Sequence, residues 1–202
     1  IVNKRSSLIF MFIVTSLATV AWMFHLHSDE HRDYILFYNS SKFTAVQLVA
    51  SRDTTYLLSN VERDEADIDY VVAPYLRRAA MDEPLWLCGD YEDENVVSCN
   101  GLVDFRGIRM KMLCDKSWQQ DSVPTPVDLL LLCKGFKGAM DAVLEKYPSE
   151  KVIMDAGLHA MSRRRVAKEC VLLDVCCMDI SQMGAMRLSC SDKKLQLCNE
   201  RP

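Results

Sequence analysis

The apolar run at residues 127–133 (VDLLLLC) places the strongest constraint on the fold of this chain. A strand with one face in water alternates apolar and polar residues, whereas a strand covered on both faces is apolar throughout. Two more short apolar segments follow at 151–155 and 175–178, and helical patterns at 139–147 and 162–173 separate the three. This β-α-β-α-β order predicts parallel strands joined by right-handed crossovers.

The ends of these elements carry further signals. We predict Ser162 as the N-cap of the second helix, because a serine hydroxyl accepts a hydrogen bond from a free amide of the first turn. A last strand is expected at 185–189. The remaining residues, 191–202, are expected to form a tail.

The preceding part of the chain, residues 34–120, has a different pattern. Short β-branched and aromatic runs at 34–38, 45–50 and 55–59, separated by turn residues, predict an antiparallel meander. Residues 64–81 predict a helix, or a strand end followed by a helix with Pro74 in its first turn.

Four more strands are expected before the β-α-β-α-β region, at 86–88, 96–99, 102–105 and 108–113, with a turn at 104–107 between the last two. Residues 119–126 (QQDSVPTP) predict a linker, after which 127–190 form the second half of the same domain. An antiparallel first half and a β-α-β-α-β second half predict an α/β fold, a two-sheet sandwich flanked by helices.

An apolar segment lies near the N-terminus. Residues 8–24 carry no charge and, with their flanks, approach the length of about 20 residues that spans a bilayer. Lys4 and Arg5 precede this segment, which favours a cytoplasmic N-terminus and a domain on the other side of the membrane. We therefore predict a transmembrane helix with its flank at 1–33. A signal peptide is the alternative, although no A-x-A-like cleavage site follows.

Composition narrows the class of protein. Half of the residues are hydrophobic and 26% are charged, which excludes a disordered chain. The net charge of −4 means that any nucleic-acid contact must come from a local basic patch. The chain starts with Ile1 rather than Met, so we expect a fragment, a processed form or a trimmed gene model, whose apolar segment could be the last of several helices.

The nine cysteines include no CxxC pair, and three interpretations stay open: burial, disulfides or a metal site. Cys133, Cys170 and Cys176 lie in strongly apolar runs, which favours burial as small hydrophobic side chains.

Four segments carry a resemblance to a known family: 127–138 (VDLLLLCKGFKG), 151–158 (KVIMDAGL), 163–170 (RRRVAKEC) and 184–188 (GAMRL). Their order after an apolar helix resembles the C-terminal region of ComEC-type competence proteins, which are polytopic membrane channels for DNA uptake. The resemblance covers residues 8–190 and is particularly close to the variants from Bacteroidetes, in which a Cys, Lys or Arg, Gly, aromatic, basic, Gly pattern replaces Ser-His-His-Gly.

The resemblance implies a metallo-β-lactamase-like αββα domain facing the periplasm at the inner membrane. It also places the first strands at the position of the family's Asp-Val-Gly-Gln-Gly-Asp hairpin. Asn39, Ser40 and Ser41 stand at that turn instead. We therefore expect a degenerate domain that has lost its metal motifs.

A two-metal site needs several imidazoles and carboxylates around one void. Three of the four histidines cluster before the first strand: His25, His27 and His31. We expect them to form a polar collar at the end of the apolar segment. Asp155 and His159 form a potential remnant of a site, although Asp155 could equally serve as a loop or capping carboxylate. We expect no metal, no cofactor and no catalysis.

Basic residues follow two of the predicted parallel elements. A glycine-rich loop between a strand and a helix can hold phosphate through its amides, or its glycines can serve only a turn with positive φ. A basic helix start can line the same end of the sheet, or simply face solvent. The candidate phosphate-binding residues are Lys134, Gly135, Lys137, Gly138, Arg163, Arg164, Arg165 and Lys168.

The predicted function is an extracytoplasmic, non-catalytic domain that assists the transport of single-stranded DNA. Its expected partners are membrane lipid, the rest of the channel polypeptide or its subunits, and single-stranded DNA. The alternatives are a divergent metal-dependent nuclease or hydrolase, and a single-pass anchored binding module unrelated to DNA uptake.

Overall fold

The computed structural model of the chain describes residues 10–20, 22, 33–51, 53–61, 68–191 and 194–198. The chain divides into two compact units, residues 1–32 and residues 33–202.

The N-terminal unit contains a helix over residues 10–20, whose apolar side chains are exposed. The Thr15 hydroxyl donates to the carbonyls of Met11 and Phe12 at 3.0 Å, so this polar group is satisfied within its own helix. No helix among the described residues combines the length and apolar character needed to cross a bilayer. Parts of the predicted span 8–24 and of its flank lie outside the described residues, and the transmembrane helix stays a prediction.

The second unit is built from thirteen strands and four α-helices among its described residues. The strands are β1 (Tyr34–Phe37), β2 (Ala45–Val49), β3 (Thr55–Ser59), β4 (Leu85–Leu87), β5 (Tyr91–Glu92), β6 (Val96–Cys99), β7 (Leu102–Phe105), β8 (Ile108–Leu113), β9 (Leu129–Leu132), β10 (Lys151–Met154), β11 (Cys176–Asp179), β12 (Met186–Ser191) and β13 (Lys194–Cys198). The helices are α1 (Ile68–Ala79), α2 (Met140–Lys146), α3 (Ala160–Leu172) and α4 (Ile180–Met183).

The strands form two sheets. The six-stranded sheet has the order β13-β12-β1-β2-β3-β4 and is antiparallel except for the parallel pair β3–β4. The predicted β1-β2-β3 meander is therefore confirmed. Strand β13 pairs with β12, so part of the predicted C-terminal tail extends this sheet.

The seven-stranded sheet has the order β11-β10-β9-β8-β7-β6-β5. Strands β9, β10 and β11 run parallel to one another, which confirms the parallel pairing predicted for the second half. Strand β8, which was assigned to the antiparallel first half, also pairs parallel with β9. The predicted β7–β8 turn is also confirmed: Arg106 and Gly107 have φ values of 50° and 83°, and the Gly107 amide donates to Asp104 Oδ1 at 2.8 Å.

The residues of β9 explain why this run is apolar throughout. Leu129 and Leu131 point into the core between the two sheets, where they pack with Ile35 and Leu48 of the other sheet. Leu130 and the other alternate residues point outward under α2 and α3. Both faces of β9 are covered, as its composition predicted.

Helices complete the sandwich on both sides. Val143 of α2 and Val166 of α3 pack on the outer face of the seven-stranded sheet. Ile68 and Val72 of α1 pack on the outer face of the six-stranded sheet. The second unit is therefore a mixed α/β structure of two packed sheets with helices outside, and Pro74 lies in the interior of α1 rather than in its first turn.

Two local predictions were wrong. Helix α3 begins at Ala160, and its N-cap is His159, whose Nδ1 accepts a hydrogen bond from the Met161 amide at 3.3 Å. Ser162 lies inside the first turn. Cys176 is exposed rather than buried, because β11 is the edge strand of its sheet.

The predicted linker 119–126 begins in a 3-10 helix, Ser117–Gln120, and is irregular from 121 to 126, but it is held in place. Lys146 Nζ donates to the carbonyls of Trp118, Gln119 and Asp121 at 3.2, 2.6 and 2.7 Å. The Thr125 amide donates to the Lys146 carbonyl at 2.8 Å. The segment is therefore fixed against α2.

Candidate functional site

Strands β8, β9 and β10 end side by side in the seven-stranded sheet. Their carboxyl ends form one boundary of the sheet, which we call the strand edge. Cys133 donates its amide to the Leu113 carbonyl at 2.9 Å, and Asp155 donates its amide to the Leu132 carbonyl at 3.0 Å. Cys114, Cys133 and Asp155 therefore follow the three parallel strands at neighbouring positions. The carboxyl ends of parallel strands are the usual location of ligand sites in α/β folds.

Asp155 is 1% exposed and forms a connection between the two sheets. Its Oδ2 accepts hydrogen bonds from the Thr44 hydroxyl at 2.9 Å and from the Gly157 amide at 3.1 Å. Thr44 directly precedes β2 of the other sheet. The predicted role of Asp155 as a loop hydrogen-bonding carboxylate agrees with these contacts.

Burial dominates the ionisation of Asp155. Removal from water raises its pKa from 3.8 to about 6, although the hydrogen bonds from Thr44 and Gly157 oppose this shift. The Oδ2 atom of Asp155 is therefore committed to two donors within the protein. Gly157 has no room for a side chain, since a Cβ there would lie 2.9 Å from Asp155 Oδ2.

Two thiols lie beside this carboxylate. Cys133 is fully buried, and a hydrogen bond shared with the Cys114 thiol together with burial raises its pKa well above the usual range. Cys114 is half-buried. The Cys133 side chain has no exposed surface and packs in the core between the two sheets.

The basic loop after β9 presents Lys134 and Lys137 to solvent. Two positions of this loop require glycine for steric reasons. Gly135 has a φ of 96°, and a Cβ there would lie 2.5 Å from the Cys114 carbonyl oxygen. A Cβ on Gly138 would lie 2.6 Å from the Trp118 ring. The close approach of the loop to β8 and Trp118 therefore accounts for both glycines.

The amide of Met140, the first residue of α2, donates to Glu169 Oε2 at 2.9 Å. A carboxylate of the protein itself therefore occupies this helix start. An anion at this loop would therefore contact the exposed lysine side chains rather than the amides of the helix start.

The structure separates the four basic residues of α3 into different roles. Arg163 is half-buried, donates to the Ala156 carbonyl at 3.2 Å and lies 3.8 Å from Asp179 Oδ2. Arg165 lies 3.6 Å from Glu169. Arg164 and Lys168 are exposed, and no hydrogen bond or ion pair recorded among the described residues joins them to the 134–138 loop.

His159 is exposed and caps α3, and the contacts of the described residues include no hydrogen bond between it and Asp155. Within the described ranges, no group of three or more His, Cys, Asp or Glu side chains is arranged to hold a metal ion. His25, His27 and His31 lie outside the described residues.

Thr44 and Asp179 were missing from the sequence prediction. Thr44 lies 111 positions from Asp155 along the chain, so nothing local indicated their contact. Asp179 accepts from the Ser181 amide and hydroxyl at 2.9 and 2.6 Å, and the Asp-x-Ser spacing at the end of β11 was the one available signal.

Comparison with known proteins gives one match. The family model described as the ComEC C-terminal domain matches residues 35–190, which is most of the chain. No curated protein and no solved structure matches it significantly. On the extent of the family match, the chain belongs to the ComEC C-terminal domain family.

Proposed function

We propose that this chain provides a non-catalytic domain of a competence-type DNA-uptake membrane protein and docks the backbone of single-stranded DNA. Membership of the ComEC C-terminal domain family supports the connection with DNA uptake. The two packed sheets with outer helices agree with a metallo-β-lactamase-like fold, in which the edge that carries Asp155 corresponds to the site region.

One observation carries the non-catalytic part of the proposal. At the strand edge, Asp155 is buried and accepts a hydrogen bond from Thr44, directly before β2 of the other sheet, and a local one from Gly157 of its own loop. This arrangement uses the carboxylate to hold the sheets together. A catalytic metal centre would need the same oxygens directed at an ion.

The charge around this edge supports docking of a phosphate backbone. Lys134 and Lys137 are both exposed on one short loop, and Lys134 lies next to Gly157 beside the Asp155 position. Lysine contacts to phosphates neutralise charge without reading bases, which suits a protein that transports DNA of any sequence. Because the chain carries a net charge of −4, such contacts have to be local.

The location follows from the same proposal. We place the chain in the inner membrane through residues 8–24, with the second unit facing the periplasm. Lipid and the rest of the channel polypeptide or its subunits would be its constant partners, and single-stranded DNA its transient partner.

A titration of a fluorescent single-stranded oligonucleotide with the full chain in mild detergent tests the docking role. The double variant Lys134→Glu, Lys137→Glu is expected to weaken binding strongly. The matched control, Arg77→Glu with Arg78→Glu, reverses two exposed charges on α1, outside the other sheet, and is expected to bind like the parent.

Equal losses in both double variants, or no binding by the parent, would contradict DNA docking at this loop. Stoichiometric zinc or manganese in the purified chain together with DNA cleavage would contradict the non-catalytic part. In that case the chain would be a divergent metal-dependent nuclease.

A further inference from the structure

The outward face of α3 combines two kinds of side chain that seldom occur together on a solvent-exposed helix. At 100° per residue, six residues of this helix fall within an arc of about 120°. These residues are Met161, Arg164, Arg165, Lys168, Val171 and Leu172.

All six side chains of this face are exposed. Met161, Val171 and Leu172 are 73%, 80% and 84% exposed, while Val166 and Cys170 on the opposite face are fully buried. A surface helix normally turns its large apolar residues to the core and its polar residues to water. Here the core side is already packed, and a second apolar group faces outward among cations.

The apolar surface continues beyond the helix. A groove of about 590 Å³ runs beside α3 and is lined by Arg164, Val171 and Met183, among others. Met183 on α4 is 47% exposed and Leu173 after α3 is 41% exposed. The exposed aliphatic residues of α3 therefore belong to a wider surface rather than to one helix turn.

We propose that this α3 face docks on an anionic lipid surface. Long aliphatic side chains enter the headgroup boundary while neighbouring Lys and Arg side chains pair with lipid phosphates. Arg165 is partly compensated by Glu169 at 3.6 Å. Arg164 and Lys168 have no acidic partner in the part of the chain that the structure describes, so their charge is available to lipid.

The composition of the face disfavours the other occupants. Single-stranded DNA would pair with the cations of this face but would leave its three exposed aliphatic side chains without a partner, since bases stack on aromatic rings and this face has none. A second copy would bring two cationic faces together, and like charges at an interface repel. An anionic bilayer satisfies both the aliphatic and the basic residues.

Site-specific photo-crosslinking in the full chain tests this proposal. Leu172→p-benzoylphenylalanine places the probe on the α3 face, and Tyr70→p-benzoylphenylalanine places it on α1 at the same exposure of 84%. Both variants are reconstituted in phosphatidylglycerol or phosphatidylcholine vesicles and irradiated, and mass spectrometry identifies the adducts. Lipid adducts are expected at position 172, mainly in phosphatidylglycerol, and few at position 70.

Adding Arg164→Gln and Lys168→Gln to the position-172 variant is expected to lower the ratio of docked to undocked protein about 30-fold in phosphatidylglycerol. Equal lipid labelling at both positions would overturn the proposal. So would protein–protein adducts at position 172, which would indicate self-association. The proposal is independent of DNA docking at Lys134 and Lys137, which this readout does not involve.

Discussion

Replacing Asp155 by Asn is expected to change how the stability of the fold depends on pH. In the folded chain, burial raises the pKa of Asp155 from 3.8 to about 6. A difference of about 2 pKa units corresponds to about 3 kcal/mol of unfolding free energy. Asn keeps one oxygen that can accept from Thr44 and Gly157, but it has no charge to bury.

The sign follows from proton binding in the two states. Between pH 3.8 and about 6, the unfolded chain has released the proton that folded Asp155 still holds, so the free energy of unfolding falls as the pH rises. The parent is therefore expected to lose up to about 3 kcal/mol across this window, or about 6–12 °C in melting temperature, and the Asn variant is not.

Urea unfolding of both proteins in detergent, from about pH 3 to pH 8, measures this difference by linear extrapolation. Asp115→Asn is a control of opposite sign. The hydroxyl and amide of Ser117 lower the pKa of Asp115, so this carboxylate stabilises the fold above its unfolded pKa and loses that effect as the pH falls. The same pH dependence in the parent and in Asp155→Asn would refute the reasoning.

Two further substitutions test the surroundings of the strand edge. Gly135→Ala would place a methyl group 2.5 Å from the Cys114 carbonyl oxygen at a φ of 96°, and it is expected to destabilise by about 1–3 kcal/mol in urea unfolding. Gly89→Ala, with positive φ but no atom within 4 Å, should have a smaller effect, and equal losses would exclude the predicted clash. Lys146→Met removes three hydrogen bonds to carbonyls and is expected to lower stability by about 1.5–3 kcal/mol and to admit proteases at 119–126. Unchanged cleavage, compared with exposed Lys116→Met, would contradict that role.

The sequence predicted the elements whose signal is local. The run 127–133 identified β9 because burial on both faces requires only apolar residues, and the β-α-β-α-β order then determined the parallel pairing. Prediction failed where the contacting residues lie far apart in the sequence, or where two neighbouring residues could fill the same role. Thr44 meets Asp155 across 111 positions, and His159 takes the capping role that Ser162 could have filled.

The candidate site was predicted only in its position. Asp155 was placed at the end of a strand, but its burial depends on the other sheet, which sequence patterns do not position. Likewise, Arg163 was grouped with its basic neighbours, whereas Asp179 and the Ala156 carbonyl hold it in the fold. A run of like residues on a helix does not show which of them are already engaged.

The salt dependence of single-stranded DNA binding tests the central claim most directly. For single strands, each neutralised phosphate contributes about 0.7 to the slope of log affinity against log salt concentration. If Lys134 and Lys137 each contact one phosphate, Lys134→Gln with Lys137→Gln is expected to reduce that slope by about 1.4 relative to the parent. An unchanged slope, with the parent still binding DNA, would contradict the account.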